Sequence, residues 1–194
     1  MRKYILKYLT LDVECAPLKI DNLDVWIYLS EKATVRTLHP LFSKVISVAL
    51  KEFDQEPEIL FSDNEKQLLD DFWSKIAAIN PDTIITFNGY GFDIPFLEVR
   101  SLMNNIQPTK QINTNKWNME KSNHYDCMLA LSSKGNFLSV AQDIICKMMG
   151  ISVEEKIEGT QIEKCYLKGD WKSINNRCGQ DVIQTEQIYR KLHS

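Results

Sequence analysis

The sequence lacks the paired cysteine pattern that fastens small secreted domains. It holds five cysteines among 194 residues; the number is odd, no two stand as C-x-x-C, and a secreted disulfide framework ordinarily uses an even set. Reduced, mostly buried thiols in the cytoplasm are expected instead. Only three histidines occur, and no histidine and thiolate set suits zinc. No apolar run approaches the ~20 residues that span a bilayer, so no membrane partner is expected. The opening MRKYILKYLTLDVECAP is interrupted by Lys7 and closes on Asp12 and Glu14, which makes a poor secretory leader. Basic charge is not in excess either, with 23 Lys and Arg against 26 Asp and Glu. That argues against a broad basic surface for nucleic acid, but allows a grip on a few phosphates through metals and local lysines. Repeats, low-complexity tracts and evident linkers are missing, and the length suits one domain over residues 1–194.

What is present has the balance of a globular protein, 44% hydrophobic and 25% charged. Tyr4 to Val13 reads as a strand, Leu23 to Leu29 as a second and Lys44 to Phe53 as a third. Residues 58–61 return as a short antiparallel partner after a turn at Gln55-Glu56-Pro57. Ser62 and Glu65 have capping-box spacing ahead of a helix whose apolar stripe includes Leu68, Leu69, Phe72, Trp73 and Ile76. Asn80-Pro81 ends it, and Thr83 to Asn88 reads as a buried strand. A helix begins at Phe92-Asp93-Ile94-Pro95 and runs to about Asn105. A polar loop follows over 106–123, carrying Lys110, Lys116, Lys121 and Trp117, with Trp117 expected to pack within it. Next come a short strand near Tyr125, a helix from Ser139 to Met149 with a stop at Gly150, a second capping-box spacing at Thr160 and Glu163, and a last helix over about 171–191. This order predicts a mixed α/β sheet covered by helices, with Asp12–Glu14 and Asn88–Asp93 at the carboxyl ends of central strands, where open α/β sheets bind ligands.

Four acidic residues in three short motifs carry the chemistry. Residues two apart on a strand point the same way, so Asp12 and Glu14 can face one point; the same pair also suits a solvated strand end. Asp93 lies at a helix start behind Gly89 and Gly91, and a simple cap would explain it too. Asp181 lies within the last helix and shares a face with Arg177 and Thr185. Oxygen ligands in a cluster suit Mg²⁺ or Mn²⁺.

With these motifs the chain resembles the DEDD superfamily of 3′–5′ exonucleases, in particular bacterial proteins related to the proofreading exonuclease domain of family B DNA polymerases. Leu11-Asp12-Val13-Glu14 matches the first motif, Phe87-Asn88-Gly-Tyr-Gly-Phe92-Asp93-Ile94-Pro95-Phe96-Leu97 the second, and Cys178-Gly-Gln-Asp181-Val182 with Thr185 the third. The resemblance implies an RNase H-like mixed β-sheet with one antiparallel strand, flanked by helices. It implies two Mg²⁺ or Mn²⁺ ions on Asp12, Glu14, Asp93 and Asp181. Asn88 and Phe92, with Tyr90, would meet the substrate, a single-stranded DNA or RNA 3′ end, and Asp126 would support the ligands or close its own strand. The net acidic charge favours a distributive enzyme or one delivered by a protein partner.

One departure stands out. The tyrosine branch of the superfamily has Tyr four residues before the last Asp, and the histidine branch has His five before; here those positions are Arg177 and Asn176. A guanidinium cannot serve as a general base near neutral pH. Arg177 can clamp the scissile phosphate, or pair with Asp181 and compete with a metal. Tyr90, Tyr166 and His124 are the available substitutes. The expected activity is hydrolysis from a 3′ end that releases nucleoside monophosphates. The alternatives are a catalytically impaired nucleic-acid-binding or accessory protein, and a phosphohydrolase acting on small nucleotides.

Overall fold

The computed structural model describes residues 6–32, 38–117 and 122–194. Its centre is a five-stranded sheet in the order β3-β2-β1-β4-β5, built from β1 (Tyr8–Pro17), β2 (Ser43–Glu52), β3 (Glu58–Phe61), β4 (Thr83–Thr86) and β5 (His124–Asp126). β1 pairs antiparallel with β2 and parallel with β4, β2 pairs antiparallel with β3, and β4 pairs parallel with β5. Only β2 runs against the other four. This is the mixed α/β sheet of the RNase H-like fold, flanked by helices, with the single antiparallel strand expected.

Alternation along β1 sorts its side chains between two layers. Leu9, Leu11, Val13 and Cys15 enter the main core, together with Leu69, Phe72, Trp73 and Ile76 of α2 (Glu65–Ile79) and Ile94, Phe96 and Leu97 of α3 (Asp93–Met103). Each such fully buried large side chain stabilises the fold by about 1.5–3 kcal/mol. Thr10, Asp12 and Glu14 therefore lie on the opposite face, the one covered by α7 (Trp171–Leu192). Ile174, Val182 and Ile188 bury α7 as its apolar spacing predicts. Gly179 permits the close packing: a Cβ there would stand 3.3 Å from Ile59 Cδ1.

Several expectations are corrected. Leu23 to Leu29 is helical, within α1 (Leu23–Lys32). Asn22 caps it by accepting the Val25 N–H at 3.1 Å, and among the described residues no strand offers it a ladder. The cap of α2 is Asn64, which accepts from Gln67 N. Ser62 instead accepts the Asn64 N–H. Glu65 is buried and receives Val45 N at 2.7 Å and Arg100 Nε at 2.8 Å. The helix expected from Ser139 is shorter, α5 (Gln142–Met148), and a short α4 (Cys127–Leu131) precedes it unforeseen. The capping box near Thr160 and Glu163 is made by Glu158 and Gln161, one turn before α6 (Ile162–Leu167). Trp117 is 70% exposed, with Lys116 Nζ 5.0 Å from its ring centre, because the loop turns its indole outward. Tyr4 and Lys121 lie outside the described residues. None of the five cysteines is paired with another in a disulfide, and all but Cys165 are buried. Among the described residues no helix is long and apolar enough to cross a membrane.

Candidate metal and nucleic-acid site

The sheet brings its acidic residues together at one edge. β1 and β4 run parallel, so their carboxyl ends share that edge, but they pair only from Tyr8 to Thr10. Beyond Thr10 the β4 side of β1 is open, and the Val13 N–H is taken by Asp93 Oδ1 at 3.1 Å. On β1's other side the register with β2 shifts between Glu14 and Cys15. Such irregularities re-aim side chains beside functional sites.

Asp12, Glu14 and Asp181 each place a carboxylate oxygen within 4.8 Å of the others. Asp93 is not in that group of three, but it lines the same pocket, a cavity of about 270 Å³. The four carboxylates expected to act together thus divide into three plus a neighbour held on the β1 backbone. Hard oxygen donors at this spacing can coordinate a divalent metal ion, and the chemistry of the donor set fits one.

The protein environment makes these carboxylates costly to ionise. Loss of solvation lifts the Asp12 carboxyl well above the ordinary range, with further lifts from Asp181, Asp93 and Glu14. Loss of solvation and the Asp181 charge push Glu14 up to about 7 against the opposing Arg177 guanidinium. Asp93 rises to about 8, again mainly through lost solvation, although its own and the Val13 N–H groups pull it back. Acids this dry and this crowded favour a bound cation.

Two side-chain cations already stand among them. Arg177 Nε lies 2.7 Å from Glu14 Oε1, and its Nη2 lies 3.3 Å from Asp181 Oδ2. Lys156 pairs with Asp181 Oδ1, and also with Asp143 Oδ1 at 2.9 Å. Lys156 and Asp143 are the residues that sequence reasoning missed. Lys156 follows two glutamates in a polar stretch without periodicity, and no spacing marks it.

Asn88 and Phe92 line the pocket, as their motif suggested. Asn88 has a left-handed backbone, φ 70°, a conformation asparagine tolerates better than most residues. Gly89 is required next to it, since a Cβ there would fall 2.2 Å from Thr86 Oγ1. Asp126 caps α4 by accepting Leu129 N, and holds this turn by accepting Asn88 N and Tyr90 N, each at 3.0 Å. Tyr90 faces elsewhere: its ring stacks 4.3 Å from that of His124, and its hydroxyl donates to His124 O. His124 is buried between Thr86 and Asn113, and Tyr166 bonds Asp63. Neither of them, nor Tyr90, lines the pocket with Arg177.

A mixed sheet whose central strand carries Asp12 and Glu14 just past the end of its pairing with β4, beside Asp181 of α7, defines the class: an RNase H-like domain with an acidic cluster that could hold a metal ion. The family described as a predicted 3′–5′ exonuclease related to the exonuclease domain of PolB matches residues 37–194, and the chain belongs to it. A DNA polymerase of Archaeoglobus fulgidus is 23% identical over 163 residues, which cover 76% of this chain and 20% of the polymerase. The solved structure of the family B DNA polymerase from the hyperthermophilic archaeon Pyrobaculum calidifontis superposes with a TM-score of 0.68 at 16% identity. It covers 97% of this chain and 25% of that one. The chain therefore spans a quarter or less of the length of either polymerase.

Proposed function

We propose that this chain is a 3′–5′ exonuclease, one domain over residues 1–194, that hydrolyses the terminal phosphodiester of single-stranded nucleic acid with Mg²⁺ or Mn²⁺ and releases nucleoside monophosphates. The observation that carries the reading is the group of Asp12, Glu14 and Asp181 oxygens within 4.8 Å of one another, in a pocket shared with Asp93. Family membership points the same way. A divalent cation held there would supply the positive charge that lowers the pKa of water and stabilises the departing 3′ oxygen.

The remaining work falls to the chain's own groups. Phe92 offers an apolar ring against which a terminal base packs without reading its identity, which suits a sequence-tolerant substrate. Asn88 offers an amide to sugar or phosphate. Arg177, permanently charged, opposes the negative charge that grows on the scissile phosphate. Asp126 positions Asn88 by holding its main chain. The cytoplasm is the compartment we assign, with reduced cysteines as the reason.

A second reading, a binding protein with an impaired site, draws on the ion pairs of Arg177 with Glu14 and Asp181. A time course on matched 5′-labelled single-stranded DNA and RNA separates the two. The nuclease produces a ladder shortening from the 3′ end, dependent on Mg²⁺ or Mn²⁺ and absent from Asp12→Ala. Metal-independent binding without cleavage of either strand favours the second reading.

A further inference from the structure

Arg177 is a fixture of this site. Its Nη1 donates to Ile157 O at 2.8 Å, while Nε lies 2.7 Å from Glu14 Oε1 and Nη2 3.3 Å from Asp181 Oδ2 as ion pairs, the Nε contact lacking hydrogen-bond geometry. The Ile157 carbonyl holds the group from outside the acidic cluster, so the guanidinium stays in place by more than charge. Lys156 completes the arrangement. Its side chain is 4% exposed, and its ammonium hydrogen-bonds Asp181 Oδ1 and the Gln184 amide oxygen and forms an ion pair with Asp143 Oδ1 at 2.9 Å. Both oxygens of Asp181 and one of Glu14 thus already face a cation. Among the described residues, no ion pair reaches the Asp12 carboxylate or the second oxygen of Glu14.

From this we infer that Arg177, backed by Lys156, takes the place of one of the two metal ions, so that the site binds a single divalent ion on Asp12 and the open side of Glu14. The inference rests on the metal-dependent reading proposed above and departs from the two ions that the family resemblance implies. Two divalent ions and two fixed side-chain cations would bring like charges together over a few carboxylates in a partly dry pocket, where repulsion is weakly screened. A single ion avoids this. Arg177 then provides fixed positive charge opposite that ion, and replacing it with a neutral residue vacates a position that a second ion can fill.

The test is the Mn²⁺ stoichiometry of the full chain near neutral pH, by isothermal titration calorimetry and low-temperature electron paramagnetic resonance. The expected result is one Mn²⁺ per chain at saturation, with the hyperfine-resolved spectrum of an isolated ion. Arg177→Gln should take up a second ion, with the broadened spectrum of a coupled pair, whereas Arg177→Lys keeps the charge and stays at one. Circular dichroism reports whether each variant folds. Should Arg177→Gln not fold, the wild-type stoichiometry decides alone. Two coupled ions in the wild type overturn the inference and leave the metal-dependent reading standing, and so does an Arg177→Gln that folds and still takes one. No Mn²⁺ uptake by the wild type overturns both.

Discussion

The carboxylate of Asp126 sits beneath the main chain of Asn88, one oxygen accepting the Asn88 N–H at 3.0 Å and the other the Tyr90 N–H at the same distance. One buried side chain on β5 thereby determines the path of the turn that follows β4, and with it the place of Asn88 and Phe92 in the pocket. Asp126→Ala leaves three N–H groups without a buried acceptor, those of Asn88, Tyr90 and Leu129. At about 1–3 kcal/mol for each such group, partly recovered by water, the variant should lose about 3 kcal/mol of stability. Its Mn²⁺ affinity should stay close to that of the wild type while KM rises. Urea unfolding, metal titration and steady-state kinetics separate these effects, and lost metal affinity in a folded variant would count against a positioning role.

Asp12 and Asp181 are adjacent carboxylates with opposite energetic roles. Asp12 is opposed by Asp181, Asp93 and Glu14, whereas Asp181 is paired with Lys156 and Arg177. In metal-free protein, Asp12→Asn relieves repulsion and should raise stability by about 1 kcal/mol. Asp181→Asn leaves two cations under-compensated and should lower it by about 3 kcal/mol. Both should abolish metal-dependent hydrolysis. Thermal melts in chelator are the measurement, and equal shifts of one sign would contradict this division.

His124 gives the fold an acid limit. Burial pushes its imidazole down to about 4 from an ordinary 6.5, despite help from Asn113 O and the Asp126 charge. Nδ1 lies 2.8 Å from the Asn113 carbonyl, so it carries the proton and donates, leaving Nε2 to accept from the Thr86 hydroxyl, also at 2.8 Å. The unfolded chain therefore binds a proton that the folded chain refuses. Stability from this group is full above pH 6.5 and falls as the pH drops towards 4, by about 3 kcal/mol. Because the buried carboxylates titrate in both proteins, the comparison is the difference: the urea midpoint of the wild type should fall relative to that of His124→Phe as the pH drops through that window.

The Glu65–Arg100 pair joins α2 to α3 and reaches two further backbone groups. Arg100 meets Glu65 with Nε at 2.8 Å and Nη2 at 2.6 Å, and donates Nη1 to Pro40 O. Arg100→Ala strands a buried carboxylate and should cost about 3–5 kcal/mol. Adding Glu65→Ala to Arg100→Ala should cost less than Glu65→Ala alone, since the partner is already gone. A double-mutant cycle on chemical denaturation reads the coupling directly, and additivity would show the pair to be unimportant.

The sequence by itself determined the elements whose periodicity and punctuation agree: β1 with its alternating layers, the hairpin of β2 and β3, α2 ending at Asn80, and α7 with Asp181 on the face of Arg177 and Thr185. It also determined that Asp12 and Glu14 share a face, because that follows from the strand period alone. It misled over 23–29, where aromatic and β-branched residues suggest a strand. A strand also needs a neighbour to take its backbone hydrogen bonds, and Asn22 supplied a helix cap instead. Tertiary structure alone decided that Asp93 would spend one oxygen on the Val13 N–H, because that donor is open only where β1 and β4 stop pairing. It also decided that Tyr90 would stack on His124, and that Lys156 would come from a featureless loop to meet Asp181. The charges of Arg177 and Lys156 are plain in the sequence. Which carboxylates they neutralise depends on distances of a few ångströms between segments far apart in the chain, and no local pattern encodes those distances.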